Sequence, residues 1–172
     1  MSDHLFSRDV VLAAKDVLDI CRENRWKVAT AESCTGGLIA AVLTEIAGSS
    51  DVVDRGFVTY SNSAKSQLLG VPPEIIESDG AVSERVARAM AEGALERSDA
   101  SIAISCTGVA GPGGGSAEKP VGLVHMAAAR ADGPTVHERC LFPDDGRAAI
   151  RQATVLNGFE MIKALSARPM IA

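Results

Sequence analysis

WKVATAESCTGGLIAAVLTEIAG, residues 26–48, is the stretch of this 172-residue chain that decides the fold. It begins with a short apolar run that predicts a β-strand over 26–31, and its two consecutive glycines predict a turn. Apolar residues then recur at helical spacing over 38–46, and Gly48 is a typical helix end. The stretch therefore predicts a strand, a tight turn and a helix in direct succession.

The same alternation of strand and helix patterns continues along the rest of the chain. Further strands are predicted over 56–60, 100–105, 123–129 and 135–142, with the last two joined as a hairpin. Further helices are predicted over 11–21, over 63–69, from Ser83 to 94 and from about Asp145 onward. This alternation predicts an α/β fold, namely one domain over 1–172 built as an α/β/α sandwich with a mostly parallel mixed sheet. We expect the final residues, 168–172, to be frayed.

The composition excludes several classes of function before any motif is considered. Hydrophobic residues make up 47% of the chain and aromatic residues only 3%, which predicts an aliphatic core. The net charge of −5 and the lack of a basic block argue against a nucleic-acid partner. No signal peptide or membrane-length apolar run is visible, so we expect a cytoplasmic protein without a membrane partner. The four cysteines form no Cys-x-x-Cys pair, which predicts neither a metal site nor a disulfide framework.

Ser33 is the first candidate catalytic residue, because it lies between the predicted strand and the predicted helix. A helix start offers unpaired backbone N–H groups, which can hold an oxyanion while a serine attacks a carbonyl carbon. From the spacing alone, a simple helix-capping role for Ser33 or Thr35 is favoured over catalysis. Cys34 and Ser50 are rival nucleophiles.

A serine nucleophile needs a base, and the histidines of this chain are poorly placed for that role. His4 lies near the N-terminus, whereas His125 and His137 lie inside predicted strands. Lys65 follows the end of a predicted strand, and a lysine can act as a base when burial lowers its pKa. Tyr60, the only tyrosine, is a candidate for relaying a proton or orienting the amine. Taken by itself, a lysine in this position is more often a solvated helix residue.

A glycine-rich loop, TGVAGPGGGS at residues 107–116, is the second candidate ligand-binding element. It matches neither the Walker loop nor the dinucleotide-binding fingerprint. Its backbone can approach a ligand closely and cradle an anion, although a flexible surface loop fits the composition equally well. Because this loop and the turn after residue 31 both follow strands, we expect them to meet at one edge of the sheet. Arg147 and Arg151 are candidate phosphate ligands, or else solvated arginines and ion-pair partners of Asp144 and Asp145.

Six motifs occur in a distinctive order along the chain. They are AESCTGG at 31–37, GSS at 48–50, GFVTYSN at 56–62 with Lys65 behind it, GAVSE at 80–84, TGVAGP at 107–112 and KPVG at 119–122. Together they resemble the CinA C-terminal domain family, which includes the nicotinamide-nucleotide amidases, over roughly 28–165. The resemblance implies an α/β/α sandwich that is commonly oligomeric, and longer family members carry an additional N-terminal domain that is not matched here.

The same resemblance implies hydrolysis of the carboxamide of nicotinamide mononucleotide, giving nicotinate mononucleotide and ammonia without a metal or organic cofactor. It places the family's serine, lysine and tyrosine on Ser33, Lys65 and Tyr60. The implied substrate-binding residues are Thr35, Gly36, Gly37, Thr107, Gly108, Gly111 and Arg147.

Three alternatives remain open at the level of sequence. The segment before Arg147 is one residue longer than is usual in the family, so Arg151 stays an alternative phosphate ligand. An amidase acting on another pyridine or nucleotide amide fits the same motifs. A non-catalytic nucleotide- or partner-binding domain with a regulatory role is the alternative from a different class.

Overall fold

The strand–turn–helix unit predicted over 26–48 is present and supplies a central strand of the sheet. The structure is a computed structural model that describes residues 4–167. Strand β1 (Val28–Glu32) is buried along its whole length, and helix α2 (Leu38–Thr44) follows it after the predicted turn. The other strands are β2 (Val53–Val58), β3 (Ile102–Gly108), β4 (Leu123–Arg130) and β5 (Val136–Leu141). The other α-helices are α1 (Arg8–Glu23), α3 (Asn62–Leu69), α4 (Pro73–Asp79), α5 (Glu84–Glu96) and α6 (Arg147–Ser166), and a 3₁₀ turn covers Ser49–Asp51.

The five strands form one mixed sheet in the order β2-β1-β3-β4-β5. Strand β1 pairs in parallel with both β2 and β3. The β3–β4 and β4–β5 pairs are antiparallel, so β4 is the strand of this sheet that runs against the other four. This arrangement confirms the mostly parallel mixed sheet and the predicted hairpin between the last two strands.

Helices cover both faces of the sheet, which confirms the α/β/α sandwich. On one face α1, α2 and α6 enclose a core with Leu18, Ile39 and Phe159 at its centre. On the other face α3, α4 and α5 pack with Leu69 and Met90 against β1 and β3. As expected from the low aromatic content, both cores are dominated by aliphatic side chains.

Helix α4 was not predicted from the sequence. The predicted helix over 63–69 ends before the Pro72–Pro73 pair, and Pro73 occupies the first turn of α4. Proline suits that position, because the first N–H groups of a helix have no partner within the helix. The expected fraying at 168–172 lies outside the described residues. Within 4–167, no helix has the length and apolar character needed to cross a membrane.

Candidate active site

The loops that follow β1 and β3 meet at one edge of the sheet, as the sequence predicted. Glu32 is paired with Cys106 in the parallel register, and the backbone N–H of Ser33 donates to the carbonyl oxygen of Cys106 at 3.0 Å. Ser33 therefore lies directly beyond β1, and Thr107 occupies the next position on the neighbouring strand. This edge is formed by the carboxyl ends of parallel strands, where α/β proteins commonly bind ligands.

Lys65 lies next to Ser33, although the two residues are 32 positions apart in the chain. The distance between Lys65 Nζ and Ser33 Oγ is 3.0 Å, and Nζ also donates to the carbonyl oxygen of Thr59 at 3.1 Å. Helix α3 carries Lys65, and its start is fixed by Ser61, whose side chain accepts from the N–H of Ala64. The lysine is thus held inside the protein and not in solvent, with 1% of its surface exposed.

The surroundings of Lys65 favour its neutral form. Burial lowers the pKa of Lys65, while the nearby Cys34 and Cys106 thiols act in the opposite direction. Both hydrogen-bond acceptors of Nζ, a hydroxyl and a carbonyl, are uncharged, so neither gives the ammonium form the compensation of a carboxylate. A neutral amine at this position can accept the proton of the Ser33 hydroxyl.

Glu32 is a site residue that the sequence reasoning missed. Its fully buried carboxylate accepts hydrogen bonds from Thr35 Oγ1 at 2.5 Å and from the N–H groups of Ile39 and Ala40, each at 2.9 Å. Glu32 therefore provides the acceptor for the start of α2, and the capping role expected for Ser33 or Thr35 was wrong. A charged residue at the end of an otherwise uncharged, buried strand was the available signal.

The turn between β1 and α2 depends on its two glycines. Gly36 has a φ of +62° and Gly37 a φ of +98°, a region that side-chain-bearing residues rarely adopt. The N–H of Gly36 donates to the Ser33 carbonyl at 3.0 Å, and the Thr35 carbonyl accepts from Arg151 Nη2 at 2.7 Å. Arg151 is thereby engaged in holding the turn.

Arg147, Tyr60 and the glycine-rich loop come together at the outer edge of the site. Arg147 Nη1 donates to the carbonyl oxygen of Gly111 at 2.9 Å, and Nη2 donates to the Tyr60 hydroxyl at 3.0 Å. The Tyr60 hydroxyl is thus paired with Arg147, not with Lys65 or Ser33, and 61% of the Tyr60 surface is exposed. We call Tyr60, Gly111 and Arg147 the rim.

Thr107 and Gly108 are placed in the wall of the site by β3. The buried Thr107 hydroxyl donates to the carbonyl oxygen of Ala81 at 2.8 Å. A Cβ atom on Gly108 would lie only 2.7 Å from the Leu123 carbonyl oxygen, so the close approach of β4 requires glycine there. Both residues thus support the neighbouring segments of the wall.

The two rival nucleophiles differ in their relation to Lys65, because Ser50 is remote from it whereas Cys34 is near enough to influence its pKa. Ser50 is exposed in the 3₁₀ turn before β2, at the opposite end of the parallel strands from Ser33. Cys34 is buried in the core beneath α1, α2 and α6, and the neighbouring Cys106 thiol is the first cause of its lowered pKa. Of the three candidates, Ser33 alone is hydrogen-bonded to a potential base among residues 4–167.

The histidines take no part in the Ser33–Lys65 contact. His4 lies beside Glu45, while His125 and His137 are hydrogen-bonded to each other between β4 and β5. Among residues 4–167, no group of three or more His, Cys, Asp or Glu side chains is arranged to hold a metal ion.

The chain is similar to proteins of two different lengths. The nicotinamide-nucleotide amidohydrolase PncC of Escherichia coli K12 is 55% identical over 127 residues, which cover 74% of this chain and 77% of that protein. A putative competence-damage inducible protein of Caldicellulosiruptor bescii is 50% identical over 132 residues, 77% of this chain. The match covers only 32% of that relative, so this chain corresponds to about a third of the longer protein.

Solved structures and a family model agree with these sequence similarities. The competence/damage inducible protein CihA of Agrobacterium tumefaciens superposes with a TM-score of 0.92 at 54% identity, covering 96% of this chain and 99% of that chain. A CinA superfamily protein of Escherichia coli gives a TM-score of 0.86 at 30% identity, covering 93% of each chain. The model of the CinA C-terminal domain matches residues 12–166. The chain therefore belongs to the CinA C-terminal domain family.

Proposed function

We propose that this protein hydrolyses the carboxamide of nicotinamide mononucleotide, with Ser33 as the nucleophile and Lys65 as the base. The observation that carries the proposal is the 3.0 Å contact between Ser33 Oγ and the buried Lys65 amine, whose pKa is lowered by burial. Relatives named nicotinamide-nucleotide amidohydrolase, 53–55% identical to this chain, support the choice of substrate.

The proposed acylation step moves one proton and exchanges one bond. Neutral Lys65 accepts the proton of the Ser33 hydroxyl while Oγ attacks the carboxamide carbon. Collapse of the tetrahedral intermediate breaks the C–N bond, and Lys65 returns the proton to the leaving nitrogen, which departs as ammonia. Water then attacks the acyl-enzyme with Lys65 again as the base, which releases the carboxylate product and restores Ser33.

The turn after β1 supplies the donors that we assign to the oxyanion. The N–H of Gly36 is already bonded to the Ser33 carbonyl, which leaves the N–H groups of Thr35 and Gly37 for this role. Glu32 holds the turn from below by its hydrogen bonds to Thr35 and to the start of α2. A turn fixed in this way requires little rearrangement as the negative charge develops.

We assign the substrate's phosphate to Arg147 and the glycine-rich loop. The Arg147 guanidinium lies on the rim, where it reaches both Tyr60 and Gly111. Arg151 is bonded to the Thr35 carbonyl behind the turn, which favours Arg147 as the phosphate ligand. The proposed chemistry uses no metal or organic cofactor, and the expected cytoplasmic location and homo-oligomeric state stay predictions.

The test is direct release of ammonia. Chelator-treated protein is incubated with nicotinamide mononucleotide, and ammonia and nicotinate mononucleotide are measured against a Ser33→Ala control. Parallel assays with nicotinamide, its riboside and the dinucleotide define the substrate class. No ammonia from any of these amides would overturn the amidase proposal, and thermal stabilisation by the nucleotide without ammonia would identify a binding domain.

A further inference from the structure

The side chains of His125, His137 and Glu84 form a chain of polar contacts that takes no part in the proposed mechanism. His125 Nδ1 and His137 Nε2 are 3.0 Å apart, and His137 Nδ1 lies 3.5 Å from a carboxylate oxygen of Glu84. The two rings are inclined by only 21°, with centroids 5.2 Å apart. The rings are thus nearly parallel, and the 3.0 Å contact between two ring nitrogens requires that one nitrogen donates and the other accepts.

The order of partners favours one assignment of the ring protons. The Glu84 carboxylate can only accept, because its pKa is lowered by the hydrogen bond from Arg88, and it therefore favours the proton on His137 Nδ1. His137 Nε2 is then the acceptor for the N–H at His125 Nδ1. Burial lowers the pKa of His125 to about 4 and also lowers that of His137, which keeps both rings neutral near pH 7. His125 Nε2 is consequently left with a lone pair, and it has no hydrogen-bond partner within 4–167.

The strand register places His125 on the same face and at the same edge as Ser33. Ala29 and Ala31 of β1 pack beneath α5, so Ser33, two residues further on, lies on that face. Thr107 donates to Ala81 on the same side and is paired directly with His125 of β4. With neighbouring strands about 4.8 Å apart, His125 lies two strands, or about 10 Å, from Ser33.

The chemistry of the nucleotide indicates which of its groups an acceptor at this position would meet. This step rests on the proposed function, which places the carboxamide at Ser33 and the phosphate at the rim. The phosphate dianion and the pyridinium ring offer no hydrogen-bond donor, whereas the ribose hydroxyls do. We propose that His125 is a specificity-determining residue whose Nε2 accepts a hydrogen bond from a ribose hydroxyl of the substrate, with His137 and Glu84 as positioning residues.

The experiment compares nicotinamide mononucleotide with its 2′-deoxy and 3′-deoxy analogues. We expect the wild-type kcat/KM to be about tenfold lower for one of the deoxy analogues, because that analogue leaves the acceptor unpaired. In His125→Phe, kcat/KM for nicotinamide mononucleotide should fall by a similar factor, and the preference for it over the deoxy analogue should disappear. His125→Gln, which keeps an acceptor, should restore part of the preference, and His4→Gln is the matched control that should leave it intact.

Binding measurements separate this inference from the proposed function. The affinity of Ser33→Ala for the same three nucleotides is measured by calorimetry, alone and combined with His125→Phe or His137→Phe. A preference for the ribonucleotide that His125→Phe abolishes and His137→Phe weakens supports the inference, even if the wild type releases no ammonia. Equal affinities for all three nucleotides, no binding at all, or a preference that survives His125→Phe in folded protein would overturn it.

Discussion

The inner and outer parts of the candidate site are held in place by different physical means. In the inner part, Ser33 and Lys65 are 9% and 1% exposed and are enclosed by β1, α3 and the turn after β1. At the rim, Tyr60 is 61% exposed and is joined to Arg147 by a single exposed hydrogen bond. Burial fixes the inner pair, whereas the rim residues are held by hydrogen bonds that lie closer to solvent. We therefore expect the inner part to control kcat and the rim to control KM.

Ser33→Ala tests the inner part most severely. Removal of the nucleophile should lower kcat by about 10³-fold or more while leaving the melting temperature close to that of the wild type. Steady-state ammonia release and thermal unfolding measure the two effects. Ser50→Ala is the matched control at the opposite end of the strands and should retain full activity. If Ser50→Ala lost most of its activity while Ser33→Ala stayed active, Ser50 would be the nucleophile instead of Ser33.

Lys65→Met tests the catalytic role of the amine separately from the effect of the buried amine on stability. We expect kcat to fall by about 10²-fold to 10⁴-fold, since methionine cannot accept the Ser33 proton. The wild-type kcat should rise as the pH increases through the lowered pKa of Lys65, because the neutral amine is the active form. If kcat reached its maximum or plateau only near the ordinary lysine pKa of 10.5, this would contradict a base whose pKa is lowered by burial.

The lowered pKa of Lys65 also predicts how the stability difference between Lys65→Met and the wild type changes with pH. The pKa of Lys65 is lower in the folded protein than its ordinary value of 10.5, so between these two values the unfolded chain binds more protons. The Lys65 contribution to the stability of the wild type therefore increases with pH in that window. Lys65→Met should be at least as stable as the wild type at neutral pH, and its advantage should shrink as the pH approaches 10.5. Melting temperatures of the pair at several pH values measure this.

The sequence predicted the inner part better than the details around it. Strand, turn and helix patterns were sufficient to place Ser33 beyond β1, and the resemblance paired it with Lys65. The role of Glu32 was missed, because its partners are backbone N–H groups that are arranged only after α2 has formed. The pairing of Tyr60 with Arg147 was equally inaccessible, since 87 residues separate them and no local pattern encodes a contact over that span.

Arg147→Gln tests the rim through the substrate's phosphate. Loss of the charge should raise KM for nicotinamide mononucleotide by about 10-fold to 100-fold, with little change in kcat. The riboside, which lacks the phosphate, should be far less affected, and initial-rate kinetics with both substrates measure the difference. Arg151→Gln is the informative comparison, because Arg151 supports the Thr35 carbonyl in the turn and its loss should lower kcat instead. Equal effects of both variants on KM would place both arginines at the phosphate.

Tyr60→Phe has the smallest expected effect, and it tests whether Tyr60 belongs to the rim or to the inner part of the site. The Tyr60 hydroxyl accepts a hydrogen bond from Arg147 and makes no direct contact with Lys65, so its removal should only loosen the guanidinium. We expect KM to rise by about twofold to fivefold with kcat unchanged, as for the loss of one exposed hydrogen bond. If Tyr60 instead relays the Ser33 proton, kcat should fall by about 100-fold or more and its pH dependence should shift.

The double variant of Tyr60→Phe and Arg147→Gln separates these two roles. Because Arg147→Gln already removes the partner of the Tyr60 hydroxyl, the double variant should be no less active than Arg147→Gln alone when Tyr60 acts only at the rim. A further fall in kcat in the double variant would assign Tyr60 to the inner part of the site.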